Sequence, residues 1–208
     1  QITGVLGAAR DITLIKQGAQ DLADQLRLVD TMFSQTTDAI VLAKQVHVGK
    51  LGIPYLVGTA YPQLQLWSEA VGEAANGWIG ATTYLPGMEA PADAKYPKLF
   101  PAMKTWEAAF RKKYSREPEF LDVTVYTSTA MLLLAVERAG GPDKDKVAKE
   151  LKNLGVSTLL GDAGFIRTKG GAVNQAFADM VIFQRDGDKF VTVFPKAFVN
   201  GKLKPIPN

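Results

Sequence analysis

Short apolar runs alternate with stretches of helical spacing in the first part of the chain. The runs at 39–43, 53–58 and 77–83 predict buried strands, because a strand covered on both faces is nearly continuous in apolar residues. An amphipathic helix is predicted over 11–27, and a short helix is predicted to end near Gly72. Strands that alternate with helices are typical of a mostly parallel sheet, so the sequence predicts an α/β fold.

The pattern changes in the second half of the chain. A connection rich in Pro, Gly and Ala covers 86–93. Three helices are predicted after it, near 98–114, near 122–139 and from about 143 onward. The second of these is apolar most of the way round, which predicts that it is covered on more than one side. The chain then returns as an antiparallel hairpin, with strands at 177–184 and 189–194 joined by the Asp-Gly turn at 186–187.

Composition excludes several classes of function. The chain has no cysteine, which removes disulfides, thiolate zinc sites and cysteine nucleophiles, and His47 is its single histidine. The sequence contains no GxSxG, HExxH, Walker A or GxGxxG motif, so we expect no enzyme, no catalytic residue, no metal and no cofactor. The net charge of +3 is spread over helix faces, which argues against nucleic acid as a partner. No uninterrupted apolar run approaches the roughly 18 residues of a membrane span.

The order of the later signals resembles a known family over roughly residues 11–195. The signals are glycine-ended strands, an aromatic helix end and a closing hairpin, at Leu56-Val57-Gly58, Gly72–Gly77, Trp106–Tyr114, Pro118, Tyr126, Gly140-Gly141, Gly161, Gly164-Phe165, Gly170-Gly171, Phe183-Gln184 and Val193-Phe194-Pro195. Their order is similar to the second half of the periplasmic substrate-binding proteins of branched-chain amino acid ABC transporters. These are type I periplasmic binding proteins.

The resemblance implies two Rossmann-like lobes joined by three crossing strands, with a ligand in the cleft between them. Residues 1–84 would be the second lobe, 85–175 helices and a crossing strand of the first lobe, and 176–208 the hairpin returning to the second lobe, with a tail. The first lobe would be largely absent, because family members are about twice this length. We therefore expect the sequence to omit residues, between Arg27 and Asp38 above all. A rearranged fragment is the alternative.

The resemblance also implies a function. The chain would belong to a periplasmic or extracellular solute receptor that binds a small molecule and presents it to an ABC permease in the membrane. We expect any signal peptide to have been removed. Family members are monomers, and an oligomer is the alternative if this chain is truly truncated. A ligand-sensing regulatory domain of the same fold and a doubly wound α/β enzyme are the alternative functions.

The strand that ends at Gly58 predicts a ligand site, because ligands of open α/β sheets bind beyond the carboxyl ends of strands. In amino acid-binding relatives an acidic residue here neutralises the ligand's ammonium group, whereas this chain has Ala60. An unpaired buried ammonium is costly, so Ala60 favours a neutral or carboxylate ligand, aromatic ones included, over an amino acid. Thr59 would hydrogen-bond that ligand and Tyr61 would stack on it. Alternatively, both residues only form the turn.

Four further residues are candidate ligand contacts. Arg10, Asp11 and Thr13 open the first predicted helix, whose positive end would favour an anionic ligand group. For Asp11 the alternative is helix capping, and for Arg10 it is a surface position. Tyr84 follows a strand near the hinge and either faces the cleft or packs internally. Among the remaining aromatic residues we expect a structural role for Trp67, Trp78, Trp106 and Tyr126, and His47 is predicted on a helix surface.

Overall fold

The computed structural model of the protein describes residues 38–165, 174–177 and 180–206. The chain forms two compact units, residues 1–51 and residues 52–208. The helix predicted over 11–27, the candidates Arg10, Asp11 and Thr13, and the omission expected between Arg27 and Asp38 all lie outside the described residues. Those expectations, and the predicted lobe boundaries, therefore stay predictions.

The described part of the first unit contains a helix, α1, over residues 38–49. The prediction of a buried strand at 39–43 is therefore wrong. Ala43 and Val46 are buried three positions apart, while Val41 and Leu42 are about half exposed, at 47% and 51%. A short apolar run cannot by itself distinguish a strand from a helix, and the spacing of the buried residues beyond it is helical. His47 is exposed on α1, as predicted.

The described strands belong to two small sheets. They are β1 (Ile79–Thr82), β2 (Val156–Thr158), β3 (Gly161–Ala163), β4 (Val181–Asp186) and β5 (Lys189–Phe194). In the larger sheet the order is β1-β4-β5 and both pairings are antiparallel, and β2 pairs with β3 alone, also antiparallel. The prediction of a mostly parallel sheet is therefore wrong for the described strands, which pair antiparallel. The hairpin predicted near the carboxyl end is confirmed, with its first strand at Val181–Asp186 and its turn at 187–188, one residue beyond the predicted turn. Its turn contains Gly187 with a φ of 61°, a left-handed conformation that glycine adopts without steric strain.

The strand predicted at 53–58 is reduced to a single parallel bridge between Val57 and Ile79. The Gly58 N–H donates to the Ile79 carbonyl and the Ile79 N–H donates to the Leu56 carbonyl, both at 2.8 Å. The prediction of a buried strand is wrong here, because Val57 is 71% exposed and Tyr55 is 45% exposed. Its other described backbone partner is Ile206, whose N–H donates to the Pro54 carbonyl at 2.9 Å.

The helices of the second unit are close to their predicted positions. They are α2 (Gln65–Val71), α3 (Met103–Tyr114), α4 (Phe120–Ala139) and α5 (Lys144–Lys152), with short 3₁₀ helices at Tyr61–Gln63, Gly72–Ala75 and Lys196–Phe198. A capping box formed by Glu119 and Asp122 begins α4, and Gly140 ends it with a φ of 71°. The Asp143 side chain accepts hydrogen bonds from two backbone N–H groups at the start of α5.

Two apolar clusters hold α4 in place. One joins Leu134 and its neighbours on α4 to Val147 of α5 and to Val156 and Ala163 of the smaller sheet. The other joins Val123 of α4 to α3 and to the segment after β1. By length and composition α4 could cross a membrane, with 33% of its most apolar 18-residue window buried. Its buried apolar residues lie in these two clusters, so the fold accounts for part of its apolar character.

Candidate functional site

The segment after Gly58 leaves the sheet and turns at once into a 3₁₀ helix. The carbonyl of Thr59 accepts a hydrogen bond from Ala81 N of β1 at 3.2 Å, and the Ala60 carbonyl accepts one from Gln63 N at 3.1 Å. The Thr59 side chain is exposed at this point. Thr59 and Tyr61 therefore form a turn between an isolated bridge and a 3₁₀ helix, and Thr59 is exposed there.

Tyr61 lies against two tryptophans. Its ring centroid is 5.3 Å from that of Trp67 and 5.9 Å from that of Trp78, and the two tryptophan rings are 5.5 Å apart. The tryptophans are 1% and 2% exposed, which confirms their predicted core positions, whereas Tyr61 is half-buried. The ring also covers Gly58, where an added Cβ would lie 2.5 Å from Tyr61 Cζ. Burial raises the pKa of the Tyr61 phenol above its ordinary value.

Tyr84 is part of the core and not a cleft residue. Its side chain is fully buried, and its hydroxyl donates to Glu107 Oε1 at 2.6 Å. Burial, followed by this hydrogen bond to a carboxylate, raises the pKa of the phenol far above its ordinary value. The prediction that Tyr84 contacts ligand is therefore wrong, and the alternative that it packs internally holds. The hydroxyl, which is the single polar atom of the side chain, already has an internal partner.

A chain of charged groups leads outward from Tyr84. Glu107 on α3 is 6% exposed, and its second oxygen accepts from Arg111 Nη2 at 3.2 Å. Arg111 Nε also donates to both oxygens of Glu117, at 2.8 and 2.7 Å. Glu107 thus receives a phenol and a guanidinium as donors, which is the arrangement that makes a buried carboxylate tolerable. Tyr126 is likewise structural, as its hydroxyl donates to the Leu99 carbonyl at 3.0 Å.

A cavity of about 690 Å³ opens where α2, the start of α4 and the β4–β5 hairpin meet. Arg185 of β4 lines it and is only 8% exposed. Its Nη1 donates to the Pro62 carbonyl at 3.2 Å, and its guanidinium lies over the Phe190 ring with 5.5 Å between Cζ and the ring centroid. The nearest ion-pair partner in the described part of the chain is Asp188, at 4.0 Å, and that side chain is fully exposed.

A second hollow, of about 700 Å³, runs between α3 and α4. α3 contributes Trp106 and Phe110 to its wall, and α4 contributes Leu121, Val125 and Tyr126, with charged side chains such as Lys113 and Arg116 also lining it. Leu121 and Val125 are 52% and 61% exposed, and they continue an apolar stripe along α4 that other described residues leave uncovered. The expectation that α4 is covered on more than one side therefore holds for only part of its circumference in the described residues.

The structure separates the sequence-predicted candidates. Thr59 and Tyr61 lie together at the end of the Val57 bridge, and Tyr84 lies in a different apolar cluster. The sequence reasoning missed Arg185, although a signal for it exists. Val181, Phe183 and Arg185 share one face of β4, so the alternation of the strand turns a charged side chain toward the interior.

Comparison with known proteins shows the family. The model of the periplasmic binding protein family matches residues 29–189, which is 161 of the 208 residues. The chain belongs to this family. The resemblance seen in the sequence is thereby confirmed. No curated protein sequence matches the chain.

Solved structures of the family have the same fold. The leucine-binding protein LivK of Thermotoga maritima is 23% identical, with a TM-score of 0.58, over 76% of this chain and 41% of that one. A putative branched-chain amino acid ABC transporter protein of Silicibacter pomeroyi is 15% identical, with a TM-score of 0.56, over 83% and 45%. The solute-binding protein RPA0668 of R. palustris, solved with benzoate, is 17% identical, with a TM-score of 0.54, over 74% and 39%.

At these identities the comparison establishes fold and not ligand. The predicted α/β fold of the type I periplasmic binding proteins is confirmed. This chain spans about two fifths of the length of these relatives. The family is one of periplasmic binding proteins, and the R. palustris relative is described as the solute-binding protein of an ABC transporter.

Proposed function

We propose that the chain is part of an exported solute-binding protein that delivers a small molecule to an ABC permease. The observation that carries this proposal is the family match over residues 29–189. The proposed location is the periplasm or the cell exterior, because receptors of importers act outside the inner membrane. Binding without turnover is proposed, since the sequence has none of the nucleophile or metal motifs that hydrolysis would use.

The proposed ligand is a small neutral or carboxylate molecule, aromatic ones included. The segment Val57–Pro62 carries no carboxylate that could pair with a ligand ammonium. Burying an ammonium group without such a partner costs several kcal/mol. Among the named relatives, the T. maritima protein binds leucine and the R. palustris protein binds benzoate. Of these two chemical classes, the benzoate-like one fits a segment without an acidic side chain.

The proposed contacts are Thr59 and Tyr61. The exposed Thr59 hydroxyl can donate a hydrogen bond to a carboxylate or amide oxygen. Tyr61 is half-buried against Trp67 and Trp78, so its ring is held in place before a ligand arrives. An aromatic wall that is already ordered loses little conformational entropy on binding, which favours affinity.

Calorimetry on the 208-residue chain tests this proposal, with benzoate, benzamide, leucine and valine as probes. We expect benzoate or benzamide to bind, and Tyr61→Ala to weaken binding by about 1–3 kcal/mol, as for a buried aromatic contact. Because Tyr61 also packs on the tryptophans, Thr59→Val is the second variant, and it should weaken binding without lowering stability. Tyr114→Ala is the control, since Tyr114 is 52% exposed on α3. Tight leucine binding that ignores both variants would refute the proposal.

A further inference from the structure

Arg185 is a buried cation with few partners. A guanidinium has five N–H donors, and in the described residues Arg185 uses one of them, from Nη1 to the Pro62 carbonyl. Arginine is rarely buried unless it is paired, because desolvation of its charge is costly. The same desolvation lowers the pKa of the guanidinium from its ordinary value. Asp188 compensates weakly, as it is 4.0 Å away and fully solvated.

The cavity beside Arg185 is large enough for a small organic molecule. At about 690 Å³ it lies within the range of typical ligand pockets. Phe190, Pro86 and Pro118 supply apolar surface to its wall. The wall therefore combines one deep cation with surface that could cover an apolar or aromatic body.

Carboxylates at the cavity wall restrict the charge that it can accept. Glu69 accepts from Gln65 Nε2 at 2.7 Å, Glu119 accepts from Gln65 N at 2.8 Å, and Glu117 is held by Arg111. These carboxylates already accept hydrogen bonds from internal donors, and the wall also contains Asp188 and a second cation, Lys189. Acidic side chains outnumber basic ones in the lining, so a second negative charge on a ligand would be disfavoured, whereas a single carboxylate can be neutralised by Arg185.

We infer that this cavity is a binding site for a small monocarboxylate, whose oxygens accept hydrogen bonds from the Arg185 guanidinium and whose body lies against Phe190. The planar fork of a guanidinium matches a carboxylate in a bidentate pair. The site shares no residue with the proposed Thr59–Tyr61 contacts, so it extends the proposed function and does not depend on it. Dicarboxylates and inorganic phosphate should be excluded by the surrounding carboxylates.

The inference is tested by titrating the 208-residue chain with benzoate, cyclohexanecarboxylate, succinate and phosphate. Binding is measured by calorimetry and by NMR of the arginine Nε–H resonances. We expect both monocarboxylates to bind and to shift one arginine resonance that is missing from the spectrum of Arg185→Lys. Succinate and phosphate should bind at least about tenfold more weakly. Arg185→Met should weaken monocarboxylate binding about tenfold or more, since it removes a charged hydrogen-bond donor.

Matched variants separate this site from the proposed one. Arg138→Met is the control, because Arg138 also donates to a backbone carbonyl, that of Leu154 at 2.9 Å, but does not line the cavity. It should leave binding unchanged. Binding that survives in folded Arg185→Met but is lost in Tyr61→Ala would overturn this inference and leave the proposed function intact. If Arg185→Met does not fold, an unshifted Arg185 resonance on addition of benzoate to the unmodified chain would overturn it as well.

Discussion

The buried phenol of Tyr84 should make the protein lose stability in alkali through one identifiable group. Burial, and then its hydrogen bond to Glu107, raises the pKa of the folded phenol far above the value of about 10 that an unfolded tyrosine has. A group whose pKa is raised by folding contributes stability that is present below the unfolded pKa and is lost as the pH rises. Above about pH 10 the unfolded chain releases the proton while the folded chain keeps it.

The size of the effect follows from this linkage. Each pH unit beyond the unfolded pKa should cost about 1.4 kcal/mol in the free energy of unfolding. Tyr84→Phe lacks the ionisable group, so this loss of stability in alkali should be absent from the variant. At pH 8 the variant should instead be less stable by about 1.5–3 kcal/mol, because Glu107 loses a donor at 2.6 Å and keeps Arg111 at 3.2 Å.

Urea unfolding at pH 8 and pH 11 measures both quantities on the same chain. The stability gap between the unmodified chain and Tyr84→Phe should shrink by about 1.4 kcal/mol between these two pH values. Tyr114→Phe is the matched control, because Tyr114 is 52% exposed, and it should behave like the unmodified chain at both. A gap that stays constant from pH 8 to pH 11 would show that Tyr84 ionises as easily in the folded state, and the reasoning would fail.

Two further predictions concern single side chains. Burial alone would raise the pKa of the Asp93 carboxyl, but hydrogen bonds from backbone N–H groups, led by that of Ser157, lower it below its ordinary value. The ionised carboxylate should therefore stabilise the fold above about pH 4, and this stabilisation should be lost in acid. Asp93→Asn should therefore lower stability at pH 7 by about 1–3 kcal/mol in urea unfolding, with a smaller loss at pH 3. Gly80→Ala should destabilise the chain by about 1–3 kcal/mol, because its Cβ would overlap the Phe183 ring, whereas Gly164→Ala, with open space, should change little in thermal unfolding.

Local patterns predicted the elements that local chemistry determines. The hairpin of β4 and β5 follows from two apolar strands and an Asp-Gly turn, and its glycine has the positive φ that such a turn requires. Helices α3, α4 and α5 follow from apolar spacing and from capping residues such as Asp143. In each case the residues that decide the conformation lie within a few positions of each other, so the local sequence contains all the information that the prediction needs.

The failures at 39–43 and 53–58 have one physical cause. Both runs were predicted as strands because they are short and apolar, but a strand also needs a partner to satisfy its backbone groups. For 53–58 the described backbone partners are Ile79, through one bridge, and Ile206, which donates to the Pro54 carbonyl, whereas for 39–43 the backbone is satisfied within a helix. Whether a short apolar run forms a paired strand or a helix depends on the residues that lie beside it in space, and its own sequence does not specify them.

The candidate sites also depend on contacts between residues that are far apart in the sequence. Arg185 and Pro62 are hydrogen-bonded across a separation of 123 residues, and Tyr84 and Glu107 across 23. The sequence left Tyr84 either at a cleft or packed internally, because it follows a strand, and Arg185 was not among the predicted candidates. The alternation of β4 nevertheless indicates the inward position, because Arg185 lies two and four residues beyond Phe183 and Val181. A charged residue on the apolar face of a strand must find a partner or a cavity, and this requirement follows from the residue pattern alone. Which of the two it finds depends on residues far away along the chain, here Pro62 and the wall of the cavity.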